Sequence, residues 1–344
     1  MHLLLLSAFI SSFLKINEGS ASDWCYQSQD PCGSRCKGPE NWKDSVNGHV
    51  CAGKSQSPIN IVTKRTLFDD LLTPLKFEGY QNAFNSRMVN NGHSVKVDVA
   101  TSATISGGNL SSVYKAVQFH LHWGKDGGPG SEHTVDGEQY PMELHIVHMK
   151  QHYASLGDAL KDPTGVAVLG FFYEESPSAN KNYEPFIKAL SDVKVTGTNT
   201  TIHIQSLSSL LPSPKNLTSY FRYKGSLTTP GCAESVVWTV FEHPILLSAD
   251  QLKAFSEVKF KDGKPMVDTF RLVTLSLCAP DQLKAFSARA HARCTAARER
   301  RGPGQRRAPG RLRLGSPRTV VAQLDEEERE GGGEGRGEGG AAIS

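Results

Sequence analysis

Hydrophobic and polar residues alternate with a period of two along much of the chain. Val95–Val99, Ala116–Trp123, Glu143–His148, Val166–Phe172 and Val236–Phe241 each read as a strand. Clusters of Gly, Pro, Asn and Ser separate them and predict turns. Helical periodicity is scarce. Asp158–Lys161 and Pro185–Leu190 suit short helices, and Ser248–Phe255 opens on a Ser-Ala-Asp cap before a periodic run. From Asp23 to Arg271 the pattern predicts one mainly β (α+β) unit.

Both ends break the pattern. Leu3–Leu14 is an apolar run followed by Gly19, Ser20, Ala21 and Ser22, the layout of a secretory signal peptide over residues 1–22. The run is too short for a membrane span, and no Lys or Arg precedes it. After Arg271, Arg, Gly, Ala, Pro and Glu dominate, and Asp325–Glu330 and Gly331–Gly340 are low in complexity. Such a stretch buries too little apolar area to offset its chain entropy, so 272–344 reads as a disordered tail. The heptapeptide DQLKAFS occurs twice, at Asp250–Ser256 and Asp281–Ser287. With the abrupt change in composition, this local duplication points to altered splicing or read-through at the C-terminal end; the alternative is a genuine Arg-rich tail that binds nucleic acid or heparin.

Composition narrows the class. Of 344 residues, 38% are apolar, which excludes a wholly disordered, collagenous or polytopic membrane protein. The net charge of +3 belongs to the tail, where residues 272–344 carry 13 Lys/Arg against 9 Asp/Glu. The rest is near neutral, so no nucleic-acid partner is expected for the domain. Seven cysteines (25, 32, 36, 51, 232, 278 and 294) behind a signal peptide predict disulfides. The sequons at Asn109, Asn199 and Asn216 predict glycans on exposed loops.

Candidate chemistry centres on Gln118–Gly124 (QFHLHWG). On a strand, Gln118, His120 and His122 share one face, and Phe119, Leu121 and Trp123 the other. Two imidazoles so placed can grip one metal, and a third nitrogen would complete the tripod of a catalytic zinc. Glu143–His148 (ELHIVH) can supply it. His145 shares its face with Glu143 and Val147 and is the better candidate; His148, on the opposite face, is the alternative. Metal-bound imidazoles need an acceptor for their other nitrogen, and Gln118 and Glu143 are suited to that role.

Seven motifs in a row give the sequence a family resemblance. They are QSPINI (Gln56–Ile61), NNGH (Asn90–His93), QFHLHWG, GSEHTVDG (Gly130–Gly137), ELHIVH, GVAVLGFF (Gly165–Phe172) and GSLTTPGC (Gly225–Cys232). Together they resemble the α-class carbonic anhydrases, closest in pattern to the extracellular, membrane-anchored type IV group. The resemblance implies one domain over 23–271, with about ten strands in a large, twisted, mostly antiparallel sheet and zinc at the bottom of a conical cleft. It implies zinc-dependent interconversion of carbon dioxide and bicarbonate, sulfonamide inhibition, and association with membrane bicarbonate transporters. The rival outcomes are a non-catalytic binding module, or an inactive product of the altered C-terminus.

Residue by residue, the resemblance makes His120, His122 and His145 the zinc ligands. Thr228 becomes the hydroxyl that relays between the attacking oxygen and Glu132, and Thr229 a bicarbonate contact. Val147, Val168, Leu227, Val236 and Trp238 become the apolar wall for carbon dioxide, and His93 the proton shuttle. Tyr26, Asn91 and Tyr223 become holders of the solvent chain or hydroxyl network. It implies the disulfides Cys51–Cys232 and Cys25–Cys36. Three places depart from the family: Lys96 stands where a polar amide is common, Thr269 where many relatives have Asn, and Leu272 where Pro is usual. The last short strand is expected near 318–321. No hydrophobic tail follows Gly331, so the chain as written is expected to be secreted and soluble, without a glycolipid anchor.

Overall fold

The computed structural model describes residues 24–29, 36–44, 49–273 and 283–287. In chain order the strands are β1 (Asn60–Ile61), β2 (Leu67–Phe68), β3 (Leu75–Glu78), β4 (Phe84–Asn90), β5 (Val95–Asp98), β6 (Thr104–Gly107) and β7 (Tyr114–Trp123). Then follow β8 (Thr134–Val135), β9 (Glu138–Gln139), β10 (Met142–Lys150), β11 (Val166–Ser176), β12 (Asn199–Ile204), β13 (Ser219–Gly225), β14 (Val236–Ser248) and β15 (Lys284–Ser287). Twelve of them form one sheet in the order β12-β4-β5-β7-β10-β11-β14-β13-β15-β2, with β6 pairing both β7 and β3. The β11–β14 and β15–β2 pairs are parallel and the others antiparallel, so the sheet is mixed and slightly wider than the sequence implied. A small sheet, β1-β8-β9, stands apart.

Helices are short. Among the described residues the α-helices are α1 (Leu156–Ala159), α2 (Glu184–Ala189) and α3 (Ala249–Ala254), with 3-10 turns between strands. Ser248 caps α3 in a full capping box with Gln251. No helix in the described residues is long and apolar enough to cross a membrane.

Alternation separates two apolar layers. Phe119, Leu121 and Trp123 of β7, Leu144 and Ile146 of β10, and Leu169 and Phe171 of β11 join the larger core with Trp42 and Phe186. Their neighbours Val147, Val168, Val236 and Trp238 belong to the second cluster, on the other face. Ligand-type side chains therefore stand on a surface already stiffened by packing from behind.

The two copies of the repeat fold differently. In the first, Leu252 and Phe255, three apart, bury one face of a helical turn against the core. In the second, Lys284–Ser287 is a strand antiparallel to β13, with Phe286 buried on Tyr220 at 5.4 Å between ring centroids. A capping Ser precedes the first copy, and the second is received between β13 and β2, so surroundings override propensity. The strand flanking β13 is therefore β15, in the stretch that the sequence assigned to the tail; residues 1–22 and 318–321 lie outside the described residues.

Candidate active site

Strand register assembles the site. Pairing of β7 with β10 sets His145 opposite His120 and Glu143 opposite His122. One nitrogen from each of His120, His122 and His145 lies within 4.8 Å of the other two. They stand in a cleft of about 290 Å³, beside Gln118 and Lys96 on one side and Val147, Leu227 and Thr228 on the other.

Each imidazole is oriented through its other nitrogen. His120 Nδ1 donates to Gln118 Oε1 at 3.0 Å, and His145 Nε2 to Glu143 Oε1 at 2.7 Å. His122 Nδ1 donates to the Thr269 carbonyl at 2.5 Å. The backbone makes this contact, so Thr serves where relatives carry Asn. Carbonyl and carboxylate oxygens only accept, which fixes the proton on those nitrogens and leaves His120 Nε2, His122 Nε2 and His145 Nδ1 as lone pairs. Burial keeps His120 and His122 neutral, pushing both pKa values down. His148 faces away, as its parity requires, and pairs with Tyr80 Oη at 2.6 Å.

Glu143 is the hub behind the ligands. Its Oε1 also accepts from His133 Nδ1 at 2.6 Å, and its Oε2 from the backbone N–H groups of Glu132 and His133 at 2.9 and 2.8 Å. Burial alone would raise its pKa, but the neighbouring His133 and His145 hold it well below the usual carboxylate range. His133 Nε2 meets Tyr223 Oη at 2.6 Å, which donates to Ser57 Oγ at 2.8 Å. Gly225 permits this approach, because a Cβ there would lie 2.2 Å from Ser57 Oγ. A second potential metal group, His133, Glu143 and His145, has its donors already satisfied by one another.

Glu132 is buried, and its Oε1 accepts from the Arg271 N–H at 2.8 Å. Its Oε2 stands 3.4 Å from His122 Nε2, and neither atom has a hydrogen-bond partner. Thr228 lines the cleft nearby, but no contact with Glu132 is closed.

The profile of the eukaryotic-type carbonic anhydrases matches residues 37–276. The chain belongs to the carbonic anhydrase family. It is 42% identical over 259 residues to "Carbonic anhydrase 4" of Oryctolagus cuniculus, covering 75% of this chain and 82% of that protein. With "Carbonic anhydrase 4" of Rattus norvegicus it shares 42% over 246 residues (70% and 77% covered), and with "Carbonic anhydrase 15" of Mus musculus 38% over 269 (75% and 81%). As a carbonic anhydrase it is an enzyme of carbon dioxide hydration, and the family's cofactor is zinc.

The donor set suits that ion. Three neutral imidazole lone pairs converge, and two of the buried acceptors in this carbonic anhydrase, His122 Nε2 and Glu132 Oε2, face each other with no donor between them. A cation with a water resolves that confrontation, whereas an apolar filling would leave both acceptors orphaned.

The remaining expected residues fall into layers. Val147, Val168, Leu227 and Trp238 line the cleft together with Thr229. Val236 lies one layer back, fully buried and paired with Val166. Leu156, Ser94 and Trp24, which belong to none of the motifs, and Pro230 of GSLTTPGC complete the lining. Asn91 Oδ1 accepts from the N–H groups of His93 and Ser94 at 2.9 and 2.8 Å, so it shapes the turn that presents His93. Tyr26 is buried in the cleft wall, and burial followed by the charge of Glu132 raises its pKa well above the ordinary value.

His93 stacks on Trp24, with ring centroids 3.7 Å apart and planes 11° apart. Burial lowers its pKa to about 4. Trp24→Ala is expected to raise it toward the ordinary ~6.5. An NMR titration of the His93 ring reads this directly; a value still near 4 would show that Trp24 is not what desolvates the ring.

Cys51 and Cys232 form a disulfide across 181 residues of sequence. The expected Cys25–Cys36 bridge is not formed: Cys36 is a free thiol, and Cys25 is bonded to a partner outside the described residues. The backbone here joins Trp24 to Lys37 in a parallel bridge, with the Cys25 N–H donating to the Lys37 carbonyl at 2.9 Å. Burial, then Asp262, raises the Cys36 pKa and keeps the thiol protonated.

Proposed function

We propose that this carbonic anhydrase works through one zinc ion held by His120 Nε2, His122 Nε2 and His145 Nδ1. The convergence of three lone pairs, each fixed by an acceptor on the far nitrogen, carries the reading. Bound zinc supplies a Lewis acid that brings a coordinated water's ionisation to about pH 7, a general magnitude for this enzyme class and not a property measured on this chain. Glu143 and Gln118 keep the ligand tautomers fixed throughout. Thr228, by donating to the open Oε2 of Glu132, becomes able only to accept. It then holds the attacking oxygen by its proton and turns the lone pair toward Val147, Val168, Leu227 and Trp238. These side chains receive an apolar gas without competing for it, and Thr229 meets the bicarbonate formed. Water and carbon dioxide give bicarbonate and one proton, which His93 carries toward solvent only once its ring leaves the Trp24 stack, since the buried ring, with its pKa lowered to about 4, accepts a proton poorly near neutrality.

Stopped-flow hydration with metal analysis tests the proposal. Stoichiometric zinc with sulfonamide-sensitive hydration is expected; zinc-replete protein without such activity overturns it. We further assign residues 1–22 as a leader and 23–271 as the catalytic domain, acting outside the cell. The Cys51–Cys232 bridge and exposed Asn109 and Asn199 suit an oxidising, glycosylating compartment, with Asn216 half-buried.

A further inference from the structure

On β13, alternation sends Arg222 and Lys224 to one face while Phe221 and Tyr223 turn to the metal-bearing side. Arg222 is only 7% exposed, and its guanidinium closes no salt bridge among the described residues; the Tyr220 ring centroid stands 5.4 Å from it, and the charge of Asp69 acts on it from beyond contact. Nε and Nη2 donate to Thr239 Oγ1 at 3.1 and 3.0 Å, and Nη1 donates to the Gly108 carbonyl at 2.5 Å. Arg carries five N–H donors, so one is left on each terminal nitrogen.

The register makes this more pointed. Lys284 of β15 sits directly opposite Arg222. Like charges facing each other across strands cost stability unless something negative lies between them. Arg222, Lys224 and Lys284 all border one cavity of about 430 Å³, and Asp69 is the only acid among its described lining residues. The Asp69 carboxylate is engaged by Lys284 Nζ at 2.7 Å. Three cations against one acid leave the cavity with an excess of two positive charges. A planar guanidinium with a free N–H on each terminal nitrogen matches two oxygens of a tetrahedral anion, and lysines add point charges around it. The cavity has room for such an ion with several waters, at about 30 Å³ per water.

We propose that this cavity binds a tetrahedral oxyanion, phosphate or sulfate, either free or as the end of an ester. Arg222 provides the fork, and Lys224 and Lys284 the flanking charge. None of His120, His122 and His145 is among the residues that line the cavity. Because Lys284 belongs to β15, the bound anion also ties the last strand to its neighbour.

Calorimetry with inorganic phosphate, at constant ionic strength against chloride, tests this on the full chain. One saturable site is expected, with a Tm that rises with phosphate as linkage requires. Lys224→Gln with Lys284→Gln should weaken binding at least tenfold and leave carbon dioxide hydration unchanged. Lys224→Gln alone, at an exposed position of β13, should weaken it several-fold and guards against loss of β15 in the double variant. Inorganic sulfate, a phosphomonoester and a sulfated sugar form the second arm. Binding by free ions assigns a free anion, and binding by esters alone assigns an ester terminus. Absence of saturable binding by every one of these probes overturns the proposal. So does equal affinity in the lysine variants, which would place the anion elsewhere, including at the metal.

Discussion

His122→Ala is expected to empty the metal centre and abolish hydration. The ring is buried, its Nδ1 is anchored on the Thr269 carbonyl, and its Nε2 has no protein partner. Truncation removes one of three converging donors and leaves Glu132 Oε2 facing a void. Losing an outer partner of a zinc ligand typically weakens metal binding 10–100-fold, and losing the ligand itself should exceed that range. Zinc content after dialysis and stopped-flow hydration measure the two effects. Full zinc occupancy with retained activity would refute the ligand assignment. Gln118→Ala sets the scale: it removes only the acceptor for His120, so zinc affinity should fall within the smaller range.

Paired replacement of Cys51 and Cys232 by Ser should lower stability by about 3–5 kcal/mol. The bridge closes a loop with a sequence separation of 181, and chain-entropy reasoning puts such a closure near the upper end of disulfide contributions. Cys232 also ends the turn that carries Thr228 and Thr229, with its N–H bonded to the Thr229 carbonyl at 3.0 Å. Gln56 Nε2 donates to the Cys232 carbonyl at 3.2 Å, tying QSPINI to the same turn. Hydration should therefore fall even under conditions where the variant remains folded. Urea unfolding monitored by fluorescence gives the stability difference. A midpoint equal to that of the oxidised wild type would show that the surrounding packing already fixes both ends.

The ligand strands were legible in the chain because the information is local. Parity alone puts Gln118, His120 and His122 on one face and separates His145 from His148, and the register bears this out. The three short helices were legible for a similar reason, since caps and Pro at a first turn act within a few residues. Contacts made across the sequence were not. His133 lies inside a quoted motif, but its bond to Glu143 depends on a turn that no period announces. Arg271 reaches Glu132 through a backbone N–H and Gln56 through Nη1, both across more than a hundred residues. The Cys25 pairing failed because four nearby cysteines allow several connectivities, among which spacing alone does not choose. β15 was missed because composition describes a stretch as a whole, while four residues suffice to make a strand.

β15, held between β13 and β2, says how little specification this end of the sheet demands. Backbone groups supply the pairing of β15, and Phe286 is its one fully sheltered side chain among those described. A place that asks for one aromatic and a run free of proline can be filled by recycled text. The cluster of His120, His122 and His145, by contrast, draws on side chains from several distant segments, each held by its own partner. The two regions therefore differ in what they ask of the chain: β15 asks for pairing groups and one aromatic, the histidine cluster for particular side chains.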